Sequence, residues 1–275
     1  MKSVNGKKIA QKIKKEVKIK IKKLKLLPSL HVISVGENKI LKVFLSQKEK
    51  ACQEVGINFY PQQLEETVKA KKVIELIRSL NFDPKVTGIL IQLPLPSRSD
   101  LVLCDQISPK KDVDCLTSSS FGRFVSGIPL FVPPTAQAIT QLLKAEKIKV
   151  KGKKITVVGA GRIAGLPISI SLLQQGATIT VCHEFTKNLK EHTKKADILI
   201  SATGQPGTIK GSMVKKGVVI IDVGTSWVKG KLTGDVDIQS IESKASLVTP
   251  VPGGVGPVMV ACLLRNVLRA AQVEF

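Results

Sequence analysis

Ile155-Thr156-Val157-Val158-Gly159-Ala160-Gly161-Arg162-Ile163-Ala164-Gly165 decides the fold. Four β-prone residues run into a glycine turn, and a helical stretch starts near Ala164. A turn of this kind lets backbone amides approach a pyrophosphate at a helix N-terminus. The glycine spacing, G-x-G-x-x-x-G, is one residue longer than the usual dinucleotide fingerprint, so the strand before it and the helix after it strengthen the reading. A tight turn with no ligand is the alternative. Gly159, Ala160 and Gly161 are the candidate cofactor residues. Glu184 follows the next expected strand, 23 residues after Gly161. An acid at that place pairs with the ribose hydroxyls of NAD and opposes the 2′-phosphate of NADP. Lys187 and Arg162 offset that repulsion, and an exposed loop acid is the other reading.

Outward from the turn, the pattern alternates strand and helix. Strands are expected at 155–158, 178–182, 198–201 and 218–221, with a last short one beginning at Val248. A helix should run to about Gln175 and another from Pro257 to Gln272. The first half has the same rhythm: a helix over about 7–25, strands at 31–35 and 57–64, helices at 40–55 and 67–80, and a nearly all-apolar strand at 86–93 ended by Pro94 and Pro96. Apolar strands alternating with helices predict parallel sheets covered on both faces. Pro133-Pro134-Thr135 opens a helix to about Lys147, since proline is tolerated in a first turn; this helix is placed as a bridge. The expected fold is α/β with two domains. Residues 1–130, completed by a C-terminal helix at 257–275, form a small ligand-binding domain, and residues 131–256 form a Rossmann-type dinucleotide domain.

Composition narrows the function classes. At 275 residues with 43% hydrophobic content, the chain can bury real cores. It contains no run of 18 uncharged apolar residues, so no membrane span is expected, and its lysine-rich start lacks the apolar stretch of a secretory signal. Five cysteines, none at CxxC spacing, read as reduced thiols in a cytoplasmic protein. His31, His183 and His192 form no metal-ligating cluster. The net charge of +22 invites a nucleic-acid reading, but eleven lysines fall in the first 25 residues around Ile9, Ile13, Val17, Ile21 and Leu24 at helical spacing. That is an amphipathic helix with a solvated basic face. With one Tyr and one Trp there is little aromatic interleaving, and no nucleic-acid partner is expected.

Three further segments carry chemistry. Phe44 and Lys48 stand at i and i+4, so they share a helix face; a ring beside an amine can stack a flat heterocycle at its reacting edge. A core Phe with a surface Lys is the plainer reading, and Lys50 is the alternative lysine. Gln92 ends a buried strand, where functional groups gather at the carboxyl edge of open α/β sheets. Asp114, in Lys111-Asp112-Val113-Asp114, can hold an amidine-like ring edge with two hydrogen bonds. The rigid loop Val251-Pro252-Gly253-Gly254-Val255-Gly256-Pro257 completes the set.

These segments, taken in order, resemble the bifunctional methylenetetrahydrofolate dehydrogenase/methenyltetrahydrofolate cyclohydrolase family from Asn5-Gly6-Lys7 to the last helix. The matching pieces include Lys48-Glu49-Lys50-Ala51-Cys52, Gly88 to Pro96, Lys111 to Asp114, Thr186-Lys187-Asn188-Leu189, Ile221-Asp222-Val223-Gly224, Gly234-Asp235-Val236 and Thr249 to Pro257. The resemblance implies oxidation of 5,10-methylenetetrahydrofolate with NADP, or NAD, and hydrolysis of the product to 10-formyltetrahydrofolate. It implies that Lys48 is the catalytic lysine, that Gln92 positions it, and that Asp114 binds the pterin. Phe44, Pro250, Pro252, Gly253 and Gly254 would line the folate site, and Thr225 would contact the dinucleotide. It further implies a cleft between the domains holding both ligands, and a homodimer. The basic surface would suit a polyglutamylated folate.

The chain departs from the family at several places. Phe44 replaces the usual Tyr, Cys115 a Gly, Ser120 an Asn, and Gly161 a Ser. Pro133-Pro134-Thr135-Ala136 stands for Pro-Cys-Thr-Pro, and Val258-Met259 for Met-Thr. Loss of the Phe44 hydroxyl is expected to weaken the cyclohydrolase step more than the dehydrogenase step.

Overall fold

The computed structural model describes residues 1–37, 39–95 and 100–273; Pro96, expected to help end a strand, lies outside them. In chain order the strands are β1 (Lys2–Ser3), β2 (Ser29–Val35), β3 (Asn58–Leu64), β4 (Gly88–Ile91), β5 (Lys154–Val158), β6 (Thr178–Cys182), β7 (Ile198–Ser201), β8 (Val219–Asp222), β9 (Ser226–Val228), β10 (Lys231–Thr233) and β11 (Leu247–Val248). The helices are α1 (Gly6–Lys23), α2 (Lys39–Val55), α3 (Ala70–Phe82), α4 (Asp100–Cys104), α5 (Ser118–Val125), α6 (Pro134–Ala145), α7 (Gly165–Gln174), α8 (Leu189–Thr193), α9 (Ile238–Ile241) and α10 (Val255–Gln272).

The chain forms two compact units. One comprises 1–10 and 135–259, the other 11–134 and 260–275. The first ten residues, assigned by sequence to the small domain, instead join the dinucleotide unit. The reason is backbone pairing. β1 runs parallel to β11, with Lys2 opposite Leu247, and Gly6 passes so close to the 253–254 loop that a Cβ there would lie 1.8 Å from the Gly254 carbonyl oxygen.

The smaller sheet has the order β3-β2-β4, all parallel. β2 and β4 are buried on both faces, and their side chains alternate between two cores as a period of two requires, while the edge strand β3 is largely open. Leu30, Val32 and Leu90 pack with Val17 and Ile21 of α1 and Leu263, Leu264 and Val267 of α10. Ile33, Ile89 and Ile91 pack with Val73, Ile77 and Leu80 of α3. Each fully buried aliphatic side chain contributes roughly 1.5–3 kcal/mol, which is why α1 folds as a helix despite its lysines. Leu24, counted on the apolar stripe by sequence, is exposed, because α1 stops at Lys23 and Lys25 turns the chain with φ +52°.

The larger sheet has the order β1-β11-β8-β7-β5-β6, again all parallel. From β5 the chain moves outward to β6, then returns past β5 to β7. The point of reversal therefore lies between β5 and β7, at the end of the strand that carries the glycine turn. Boundaries differ from expectation in instructive places. β11 ends at Val248 rather than beginning there. α10 starts at Val255, two residues before Pro257, which its first turn accommodates. α3 starts at Ala70 because Glu65–Val68 first closes a turn, with Val68 N donating to the Glu65 carbonyl at 3.0 Å.

Candidate active site

The smaller unit assembles a lysine, an amide and a carboxylate at the carboxyl edge of its sheet. Lys48 sits one helical turn after Phe44 on α2, and its side chain is 8% exposed. Ala51, Cys52 and Val55, next on the same helix, are core residues, so Lys48 emerges from an apolar surface. Its Nζ donates to Gln92 Oε1 at 2.8 Å and lies 5.9 Å from the centroid of the Phe44 ring. Gln92 follows β4. Its backbone N–H continues the ladder to the Ile33 carbonyl at 2.8 Å, and its Nε2 donates to the Leu93 carbonyl at 3.0 Å. That second bond turns the amide oxygen toward Lys48. Lys50 is exposed and has no part in this arrangement.

Asp114 reaches the same place on a loop pinned from both sides. Ile89 of β4 donates to the Lys111 carbonyl at 2.8 Å. Asp112, wholly buried, accepts from Leu116 N at 3.0 Å and Thr117 N at 2.9 Å. Asn266 of α10 donates to the Val113 carbonyl at 2.8 Å. Gly88 leaves room for Val113, whose Cγ1 would lie 2.8 Å from a Cβ at that position. The two acids of this loop thus divide: Asp112 ties the turn, and Asp114 lies near Lys48. Cys115, where the resembled family has glycine, holds φ +59°.

Electrostatics couples the group. Burial lowers the Lys48 pKa from its ordinary value, while Asp114 and Cys52 push it back up. Burial raises the Asp114 pKa to about 6; Lys48 opposes the rise and Asp112 adds to it. Asp114 as a residue keeps some open surface; its carboxyl is the deep part. Burial pushes the Cys52 thiol up to about 12, so it is no nucleophile. Ser120 is buried and engaged locally: its N–H donates to Thr117 Oγ1 at 3.0 Å, and that hydroxyl donates to Ser120 Oγ at 2.9 Å. It serves the start of α5.

The larger unit presents the dinucleotide candidates along the carboxyl edge of its sheet. Gly159 follows β5 with φ +99°, and a Cβ there would lie 2.3 Å from the Ala202 carbonyl oxygen. A Cβ on Gly165 would lie 1.7 Å from the Gly159 oxygen. These two glycines let strand, turn and helix approach one another. Gly161 is different: nothing lies within 4 Å of its Cβ position, so it faces open space. No side chain caps α7. An open turn of amides ahead of an uncapped ten-residue helix fits a pyrophosphate. Glu184 follows β6 and is exposed, in a loop folded on itself by His183 N to Thr186 Oγ1 at 2.9 Å and Phe185 N to His183 Nδ1 at 3.1 Å. Thr225, also exposed, follows β8. Thr249 precedes the 250–257 loop, in which Pro252 is exposed, Pro250 and Gly253 are half-buried and Gly254 is buried.

Sequence reasoning gave no role to Asp222 and Asp235, which are both buried at this edge. The motifs around them stood in the sequence, but a carboxylate engaged with backbone amides has no spacing signature of its own. Among the described residues, no group of acidic, His or Cys side chains could hold a metal ion, and no helix is long and apolar enough to cross a membrane.

Comparison with known proteins adds an independent line. Residues 4–114 match the family described as Tetrahydrofolate dehydrogenase/cyclohydrolase, catalytic domain, and residues 133–275 match its NAD(P)-binding domain. The bifunctional protein FolD of Acetivibrio thermocellus is 44% identical over 278 residues, covering 99% of this chain and 98% of that protein. The crystal structure of the bifunctional methylenetetrahydrofolate dehydrogenase/cyclohydrolase FolD from Campylobacter jejuni superposes with a TM-score of 0.95 at 39% identity, over 99% of both chains. That of the Trypanosoma brucei enzyme, complexed with NADP cofactor and inhibitor, gives 0.93 at 34% identity, over 98% of this chain and 97% of its own.

Proposed function

The chain belongs to the tetrahydrofolate dehydrogenase/cyclohydrolase family, and from that premise we propose how its residues divide the work. It oxidises 5,10-methylenetetrahydrofolate to 5,10-methenyltetrahydrofolate with NADP, then hydrolyses the product to 10-formyltetrahydrofolate. The hydrogen bond from buried Lys48 to Gln92 carries the assignment of residues.

In the oxidation, NADP supplies the hydride acceptor. The chain's task there is mainly orientation. Gly159, Ala160 and Gly161 would offer amides to the pyrophosphate, and Thr225, which follows β8, would contact the nucleotide. Asp114 binds the pterin edge through its carboxylate and Phe44 stacks on the ring; the family resemblance adds Pro250, Pro252, Gly253 and Gly254 to the folate contacts. In the hydrolysis, water adds to the methenyl carbon and Lys48 in its neutral form takes the proton that the water sheds; the bond from that carbon to N5 then breaks, the hydroxyl proton passes to N5, and the formyl group stays on N10. The lowered Lys48 pKa supports that role. Gln92 accepts from the Lys48 nitrogen and so aims its lone pair.

Glu184 favours NAD in part, by pairing with ribose hydroxyls and repelling a 2′-phosphate, so NADP selectivity is modest. The enzyme works as a cytoplasmic homodimer, in keeping with five buried free thiols. The lysine surplus in a chain of net charge +22 favours polyglutamylated folates, which are acidic.

The deciding assay mixes purified protein with 5,10-methylenetetrahydrofolate and either NADP or NAD, and follows reduced-cofactor absorbance. Reduction with NADP is expected, with measurable reduction by NAD. A preference for NADP of a hundredfold or more would overturn the Glu184 role, and Lys48→Ala should abolish ring opening while leaving folate binding largely intact. Retained hydrolysis in that variant would remove Lys48 from the mechanism.

A further inference from the structure

Two carboxyls that the reaction does not use are buried at the carboxyl edge of the larger sheet. Asp222, the last residue of β8, accepts from three backbone amides: Gly224 N and Asp235 N on Oδ1, each at 3.1 Å, and Val236 N on Oδ2 at 3.0 Å. Its own N–H donates to Thr249 Oγ1 at 2.7 Å. Asp235 Oδ2 accepts from Ser201 Oγ at 2.8 Å and Thr203 N at 2.7 Å, while Oδ1 is buried with no hydrogen-bond partner.

The backbone around the pair is shaped to admit it. A Cβ on Gly224 would lie 1.9 Å from Asp235 Oδ1, and one on Gly234 would lie 2.0 Å from Asp222 Oδ2. Two chain segments pass directly over the two carboxyls, each by way of a glycine. The bonds gather the segments that follow β7, β8, β10 and β11, and those segments contain Thr203, Thr225 and the start of the 250–257 loop. A buried polar oxygen left unpaired is costly, and that cost falls where the four segments meet.

We propose that Asp222 and Asp235 are positioning residues for the dinucleotide: one buried carboxyl pair that holds the loops after four strands in the arrangement the cofactor meets. The proposal rests on reading this edge as the dinucleotide site. Asp235 acts through Thr203 and Gly224, and Asp222 through Gly224 and Thr249. Loss of Asp235, which bonds Ser201 and Thr203, should loosen the cofactor while the folate end, built on Lys48, Gln92 and Asp114, keeps its affinity; Asp222 also holds Thr249 ahead of the folate contacts at 250–254, so its loss should disturb both ligands.

The test is NADP binding by titration calorimetry, with steady-state KM for both substrates, on the full chain. Asp235→Ala should weaken NADP binding by about tenfold or more and shift the folate KM by less than about twofold. Asp235→Asn retains an acceptor for Ser201 and Thr203 and should recover binding to within about threefold of wild type. Should Asp235→Ala fail to fold, Ser201→Ala removes one donor and leaves the carboxyl in place; it should weaken NADP by about threefold. Unchanged NADP affinity in the folded variants, or parallel loss of NADP and folate binding, would overturn the positioning role. A wild-type protein that binds no NADP would instead overturn the functional reading on which it rests.

Discussion

Lys48 is where opposing effects decide an outcome. Burial favours its neutral form, and the Asp114 carboxylate favours the charged one. In the proposed hydrolysis the neutral amine is the proton acceptor, so the hydrolytic rate should rise with pH through the lowered Lys48 pKa. Asp114→Asn removes a charge that holds this pKa up, so the rising limb should move to lower pH; a pH profile of the residual kcat checks this, and an unmoved limb would refute the coupling. Phe44 lies against the same amine and lacks a hydroxyl. Phe44→Tyr should raise the cyclohydrolase-to-dehydrogenase ratio by about fivefold, the effect of one hydrogen bond of about 1 kcal/mol. An unchanged ratio in parallel assays would dismiss the hydroxyl as the missing element. Lys48, Gln92 and Asp114 could be named from sequence because their motifs are specific. That Asp112 ties the turn while Asp114 does not is invisible there, because the two acids differ only in which backbone amides they meet.

The elements follow propensity where burial agrees with it and depart where it does not. β4 is apolar throughout and β2 mixes apolar with small or polar residues, and both are legible in the sequence. The hairpin β9–β10 is not, since each strand has three residues. Its two-residue loop, Lys229 at φ +48° and Gly230 at φ +77°, is the type I′ geometry that matches strand twist. α6 ends in a similarly unsuspected way. Lys147 takes φ +57°, Ile148 N donates to the Leu143 carbonyl at 2.8 Å, and this is the left-handed helix end that glycine favours. Lys147 is exposed, so Lys147→Gly forfeits no packing and should stabilise the protein by about 1 kcal/mol. A urea denaturation midpoint at or below wild type would contradict that.

Across the whole molecule, buried carboxyls set a pH dependence that composition does not suggest. Asp114 and Asp222 are raised to about 6, chiefly by burial. Each holds its proton in the folded state after the unfolded chain has released it. Their contribution to stability is therefore full below the ordinary carboxylate range and is lost as pH rises through about 6. Asp197 acts in the opposite sense: its hydrogen bond from Lys215 lowers its pKa, so its contribution is lost on acidification. Melting Asp222→Asn and wild type at pH 4.5 and 7.0 isolates one group; the wild type should lose more on going to pH 7.0, and equal losses would count against the raised pKa. The sequence by itself determined the α/β alternation and the glycine turn and proline-rich loop, and its motifs pointed to Lys48, Gln92 and Asp114, because strand and helix periodicity and local motifs are properties of neighbours along the chain. Only the tertiary structure decided that residues 1–10 join the dinucleotide unit, that Gly161 faces open space while Gly159 and Gly165 are confined, and that Asp222 and Asp235 are buried together. Those outcomes depend on backbone segments from distant parts of the chain approaching within hydrogen-bond distance, and no local pattern encodes which amides a buried carboxyl will find.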